Sequence, residues 1–301
     1  AASPAMTETR PGHRIEPPGC GIASEANAVL GTGQGSPAGA DRADSGRGGF
    51  PVQGACPFTE RQERFRFLCE DYEFLERPGG VGVMGEKGVH AVLKRFYQPD
   101  VNAQEIRVGR FVADAVTGDG SILEIQTGPF APLRKKLAVF LERYEVTIVH
   151  PAYGSRWVRS VDPQTGELLP RRRCGRPESA WKLFYALPAI REYLDRPNLH
   201  FLVPVLEVRE WRVKGDRRRS RRDRVPSELL AEFRFAGPRD FLSLLPEELS
   251  EPFTSADLAA AAAIDRSDAQ MYLYVVHQLG LLDRVGKRGN AYLYAHAQEE
   301  K

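Results

Sequence analysis

Apolar and polar positions alternate through the middle of this 301-residue chain in blocks short enough to read one at a time. Over residues 86–97, Val89, Val92, Leu93 and Phe96 fall at i, i+3, i+4 and i+7, which predicts an amphipathic helix ended by Gln98-Pro99-Asp100. Residues 105–112 are strand-like and run into two short apolar stretches joined by Gly118-Asp119-Gly120, the signature of a β-hairpin. Residues 132–144 return to helical spacing through Leu133, Leu137, Phe140 and Leu141. Residues 145–150 form a short apolar strand of the kind found in a covered sheet. Helix, strand, strand, helix, strand predicts an α/β (α+β) core, a mixed sheet flanked by helices.

Outside this core the pattern is weaker. Residues 58–75 are charged and aromatic with helical spacing, and Gly79-Gly80 then breaks the chain. A helix is predicted over 179–187 and a buried strand over 199–208. Near the C-terminus, residues 254–263 predict one helix, and Ser267 or Asp268 caps a second that runs to Leu279. Two strands follow around Gly286-Lys287-Arg288-Gly289-Asn290. Helix, turn, helix and hairpin in that order is the winged-helix pattern. The expected division is a Gly/Pro/Ala-rich tail over 1–55, a core over 56–210, a basic linker over 211–250 and the winged helix over 251–298. The tail has too little apolar surface to offset its ordering entropy and is expected to be disordered. It resembles translated upstream sequence, with Met6 and Met84 as candidate starts.

A hydrophobic fraction of 42% is enough for real cores, while no apolar run approaches the ~20 residues that span a bilayer. The first thirty residues lack an apolar signal core, so a cytoplasmic protein with no membrane partner is expected. Cys20, Cys56, Cys69 and Cys174 are scattered, which speaks against both a structural zinc site and a disulfide framework. The net charge of +2 conceals two arginine clusters, Arg171-Arg172-Arg173-Cys174-Gly175-Arg176 and Arg217-Arg218-Arg219-Ser220-Arg221-Arg222. Each has the charge density of a phosphate-binding loop and, equally, of a solvated one. No GxGxxG, Walker A, HExxH or GxSxG motif is present, which excludes the nucleotide hydrolases, zinc proteases and serine hydrolases that carry them.

The chemistry concentrates in the hairpin. Asp114 follows Val112-Ala113 and Glu124 follows Ile122-Leu123, so both carboxylates sit inside apolar strands, where a free carboxylate is costly. Taken singly each reads as an ordinary surface acid; together they converge on one side of the hairpin, as the ligands of a hard divalent cation do. Glu86 on the preceding helix, Asp114, Glu124 and Gln126 resemble the set of the PD-(D/E)xK nuclease superfamily, with Asp114…Glu124-Ile125-Gln126 as the motif and Gln in the Lys place. The resemblance covers roughly residues 80–150. Residues 85–150 are also similar to an uncharacterised bacterial family that pairs such a core with a C-terminal winged helix.

The resemblance implies a restriction-endonuclease-like fold and Mg²⁺- or Mn²⁺-dependent hydrolysis of DNA phosphodiester bonds. Asp114, Glu124 and Glu86 would be metal ligands, with the Ile125 carbonyl a further one, and Gln126 would orient the attacking water. Gln126 carries no charge and cannot serve as a base; Arg134 or Lys135 on the next helix would lend the charge. Nucleic-acid contacts are expected from Arg134, Lys135, Arg171, Arg172, Arg173, Arg217, Arg218 and Arg219, and from Gln270, Lys287 and Arg288 in the winged helix. A second reading keeps the DNA binding and takes the core as a catalytically inactive, regulatory relative. A third has the winged helix recruit a protein partner. A homodimer is compatible with the resemblance.

Overall fold

In the computed structural model, residues 58–75, 88–162, 164–167, 169–213 and 224–297 are described, all within one unit, Gly49–Lys301. Glu86, the tail and Arg217 to Arg219 lie outside the described residues. The helix foreseen over 86–97 is α2, described over Gly88–Tyr97, with Val89, Val92, Leu93 and Phe96 all buried. The weak pattern before it is a full helix, α1 (Phe58–Leu75), which buries Phe65, Cys69 and Tyr72, spaced i, i+4, i+7.

The strand-like stretch at 105–112 is two strands. β1 (Gln104–Val108) and β2 (Phe111–Val116) pair antiparallel through a two-residue loop whose first residue, Gly109, has φ +60°. Only glycine adopts that conformation without strain, so the loop falls there. β3 (Ile122–Ile125) returns antiparallel to β2, as the hairpin signal requires. The next helix is shorter than its pattern: a 3-10 turn over Ala131–Leu133, then α3 (Arg134–Phe140). β4 (Val146–Val149) then lies parallel to β3.

Beyond residue 150 the sheet grows in ways the pattern did not reveal. β5 (Ala152–Val161) follows β4 after His150 and Pro151, and both pair in parallel with the 15-residue strand β7 (Leu199–Val213). Their registers agree, Val149↔Leu202 and then Ala152↔Val205, so β4 and β5 occupy one lane beside β7, broken where Pro151 lacks a donor. β6 (Arg172–Arg173) pairs with β5, and β8 (Arg224–Phe235) pairs with the other edge of β7. The stretch expected to be a basic linker, 211–250, therefore contributes the end of one major strand and the whole of another. Its buried Glu232 explains the failure: Arg61 of α1 holds that carboxylate from two nitrogens at 2.8–3.2 Å and the Tyr97 hydroxyl adds a bond at 3.2 Å. Such long-range partners leave no periodic trace. The predicted helix at 179–187 is instead a pair of 3-10 turns, Ala180–Tyr185 and Leu187–Tyr193, with Pro188 at their junction.

The result is a large mixed sheet flanked by helices. One face is covered by α1 and α2, through Phe65, Val92 and Phe96 against Leu123, Leu206 and Leu229. The other is covered by α3, the 3-10 turns and the C-terminal elements: α4 (Ser255–Ala261), α5 (Arg266–Gln278), β9 (Leu282–Arg288) and β10 (Ala291–His296). Those elements share their apolar cluster with the sheet, since Phe253, Leu258, Tyr272 and Tyr294 join Phe201, Phe235 and Phe241. Thr254 and Asp257 form a capping box at the start of α4. Among the described residues no helix is long and apolar enough to cross a membrane, and Cys69 and Cys174 are free thiols.

Candidate functional site

β2 and β3 pair at Ala115↔Leu123 and Val116↔Ile122, and their ladder stops there. One step further on stand Asp114 and Glu124, whose side chains take over the backbone bonds. Asp114 Oδ2 accepts the Ile125 N–H at 2.7 Å, and Glu124 Oε1 accepts the Asp114 N–H at 3.4 Å. The two strands part at the acids, and the notch between them opens at the C-terminal end of β3. A cavity of about 550 Å³ lies there, lined by His90, Asp114, Glu124, Ile125, Gln126 and Lys136 among others.

Helices on opposite faces of the sheet reach into this cavity. From α2, His90 Nε2 comes within 3.2 Å of Asp114 Oδ2. From α3, Lys136 Nζ donates to both carboxylate oxygens of Glu124, at 2.8 and 3.0 Å. Lys136 is the residue that the sequence reading passed over. Arg134, proposed there to supply the charge, donates instead to exposed Glu192 at 2.5 Å, and Lys135 is exposed and does not line the cavity. The signal was present all the same: Lys136 falls at i+3 from Leu133, on the same inward face as Leu137 and Phe140.

The electrostatics of the two acids diverge. Burial alone would raise the Asp114 pKa, but the His90 hydrogen bond and charge, the Ile125 N–H and Lys136 together hold it below the usual carboxylate range. Glu124 is pushed up to about 7, first by burial and then by the charge of Asp114, against the pull of Lys136. Near neutral pH, Glu124 is thus poised between its two forms, and Lys136 stabilises the ionised one.

Gln126 lines the cavity too, but its side-chain amide donates to the Pro129 carbonyl at 2.7 Å and closes the 126–129 loop. His150 fixes the same loop from below, donating from Nδ1 to the Gln126 carbonyl at 2.7 Å while its ring meets Phe130 edge-on. Burial lowers the His150 pKa, which keeps the ring neutral and the tautomer set by that carbonyl.

The remaining candidates lie elsewhere. Arg171, Arg172 and Arg173 are exposed around β6. In the C-terminal pair of helices, Gln270 and Tyr274 of α5 face solvent, but Tyr272 is fully buried and donates its hydroxyl to the Phe241 carbonyl at 3.0 Å. Tyr272 is therefore a core residue, not a surface one. The start of α5 is tied to the core as well, with Lys182 and the Tyr185 hydroxyl on Asp268 and Arg176 on Asp265. In the hairpin, Lys287 lies over the Tyr292 ring at 4.9 Å and Arg288 pairs with Asp257.

Among the described residues no group of three or more His, Cys, Asp or Glu side chains is arranged to hold a metal ion. Two carboxylates at one notch remain, with Glu86, two residues before the start of α2, outside the described set. Their chemistry suits a hard divalent cation: all-oxygen donors side by side, with burial first and the Asp114 charge second raising the Glu124 pKa.

Residues 87–235 are similar to a domain of unknown function, DUF8091. The matched stretch contains α2, the cavity and the whole of β7 and β8. An uncharacterized protein of Treponema pallidum (strain Nichols) is 24% identical over 215 residues, which covers 69% of this chain and 84% of that protein. No solved structure matches the chain.

Proposed function

We propose that this protein is a metal-dependent phosphodiester hydrolase acting on nucleic acid, built on a restriction-endonuclease-like core of the PD-(D/E)xK kind. The observation that carries the reading is the convergence of Asp114, Glu124 and Lys136 at one notch, reached from two strands and from the helix that follows them. That combination matches the superfamily's two acids and one lysine, with the lysine supplied by α3 while Gln126 stands at the motif position.

Asp114 and Glu124 would hold Mg²⁺ or Mn²⁺, with Glu86 and the Ile125 carbonyl as further oxygen donors. A bound divalent ion polarises the phosphoryl oxygen and lowers the pKa of the attacking water. The chain's own residues divide the rest of the work. His90 orients Asp114 and keeps it ionised. Lys136, anchored on Glu124, sets a positive charge where negative charge builds on the phosphate. Gln126 and His150 hold the loop that forms the cavity's far wall. The C-terminal helices and hairpin fit a winged helix whose first contacts, through Asp265 and Asp268, are spent on the core, which favours a packing role for that end of α5.

One observation favours a second reading, an inactive nuclease-fold protein that binds nucleic acid. Lys136 already neutralises Glu124, and the Gln126 amide is committed to Pro129, so the notch is balanced without a metal. Cleavage of plasmid and labelled oligonucleotides with Mg²⁺ and Mn²⁺, wild type beside Asp114→Ala, Glu124→Ala and Lys136→Met, separates the two. Cutting that all three variants lose supports the hydrolase; binding without cutting under either metal supports the inactive relative.

A further inference from the structure

The lane occupied by β3 beside β4 is occupied further along by β6 beside β5. β4 and β5 follow one lane along β7, with one register shift between Tyr153 and Ser155, and β3 and β6 both pair with its outer edge. The cavity at the end of β3 therefore looks along the sheet toward Arg172 and Arg173. Val149, which pairs with Ile125, and Trp157, which pairs with Arg173, face Leu202 and Arg209 of β7, seven residues apart. At about 3.3 Å per residue the arginines stand roughly 23 Å from the notch.

Beyond the end of β3, the strands β5, β6, β7 and β8 form an arm that carries Arg156, Arg159, Arg172, Arg173, Arg209 and Arg224, with Arg171 beside β6 and the acids Glu207, Glu210 and Glu228 among them. Guanidinium presents a planar fork that matches a phosphate diester, which ammonium does not. Two of these arginines cover rings, Arg171 over Trp157 at 4.8 Å and Arg224 over Tyr153 at 4.8 Å. The indole N–H of Trp157 is itself spent on Glu207 at 2.9 Å, a carboxylate that also accepts from Ser227. A guanidinium thus lies over one face of each of these rings. Arg156 lies across Gly175, where φ is +77° and any side chain would run into the guanidinium. Its Nε is buried without a hydrogen-bond partner among the described residues.

We infer that this arm is a phosphate-backbone surface that holds nucleic acid in line with the Asp114/Glu124 notch and reads no sequence. The inference rests on the nucleic-acid reading above and adds where the polymer lies. A span of about 23 Å corresponds to roughly seven base-pair steps of duplex at 3.4 Å each. With arginines along the strands, contacts fall on phosphates, which position the polymer without specifying bases.

The test is fluorescence anisotropy on the full chain without added metal, using a labelled 30-mer duplex and a scrambled partner across a salt series. The variants are Arg171→Ala/Arg172→Ala/Arg173→Ala, all exposed, and Arg143→Ala, an exposed control after α3. Wild type should bind both sequences alike. The triple variant should bind at least tenfold more weakly, with a log K against log salt slope shallower by about 2.7, three contacts at about 0.9 each. Arg143→Ala should bind as wild type, and circular dichroism should show all proteins folded. Wild-type affinity and slope in the triple variant would overturn the inference, as would wild-type binding to anionic phosphatidylserine vesicles but not to duplex at 50 mM salt. Cleavage is read separately: an arm-dependent affinity in a protein that never cuts upholds the arm and removes the hydrolytic reading.

Discussion

Lys136 places its ammonium against both carboxylate oxygens of Glu124, at 2.8 and 3.0 Å, although twelve residues and a change of secondary structure separate them. Glu124 is almost wholly buried, with 2% of its side chain exposed, so burial and the Asp114 charge push its pKa up while this cation opposes them.

Lys136→Met should abolish cleavage while Lys136→Arg retains part of it. The methionine variant should also lose about 1–3 kcal/mol of stability at pH 8, where an ionised Glu124 is left without its donor. At pH 5 the loss should be smaller, because Glu124 is then protonated. Urea denaturation at the two pH values measures the difference; an equal loss at both would show that the pair contributes packing alone.

Glu124 makes stability depend on pH in a set direction. Its folded pKa is raised from 4.5 to about 7, so the protonated form favours folding. That contribution is complete below about pH 4.5 and is lost as pH rises through about 7, a decline on the order of 3 kcal/mol. Asp114 acts in the opposite sense, its lowered pKa costing stability only below the ordinary carboxylate range. Denaturation of wild type and Glu124→Gln between pH 4.5 and 8 should show the decline in wild type and its absence in the variant.

Gln126 and His90 should separate in their effects. Gln126→Ala removes one loop bond to Pro129 and should cost about 1 kcal/mol while leaving metal affinity within threefold. His90→Gln loosens Asp114 and should weaken Mn²⁺ binding 10–100-fold, the usual cost of losing a group that orients a ligand. The reverse ranking, measured by calorimetry, would move the site toward the 126–129 loop.

Tyr272→Phe should cost about 0.5–1.5 kcal/mol through the lost bond to the Phe241 carbonyl, with nucleic-acid binding unchanged. Weaker binding without loss of stability would place Tyr272 among the nucleic-acid contacts.

The local elements around the notch were legible because their periods are clean. Val89, Val92, Leu93 and Phe96 announced α2, and the Gly118-Asp119-Gly120 turn announced β2 and β3. Lys136 was legible in principle, being on the face of Leu133 and Leu137, yet proximity to the helix start drew attention to Arg134 and Lys135. β5 was hidden by Pro151, which ends a strand locally while the pairing with β7 continues it. β8 was hidden by charge, since buried Glu232 looks like a surface acid until Arg61 and Tyr97 arrive from helices more than 130 residues earlier. The tie between α5 and the core through Asp268 and Lys182 is likewise invisible to any window of sequence.

The most direct test of the notch as a divalent-cation site is a calorimetric Mn²⁺ titration at pH 8 of wild type, Asp114→Asn and Glu124→Gln. The account predicts saturable binding by wild type, weakened at least tenfold in both variants while each remains folded. Binding of equal strength in all three proteins, or none in wild type, would contradict it.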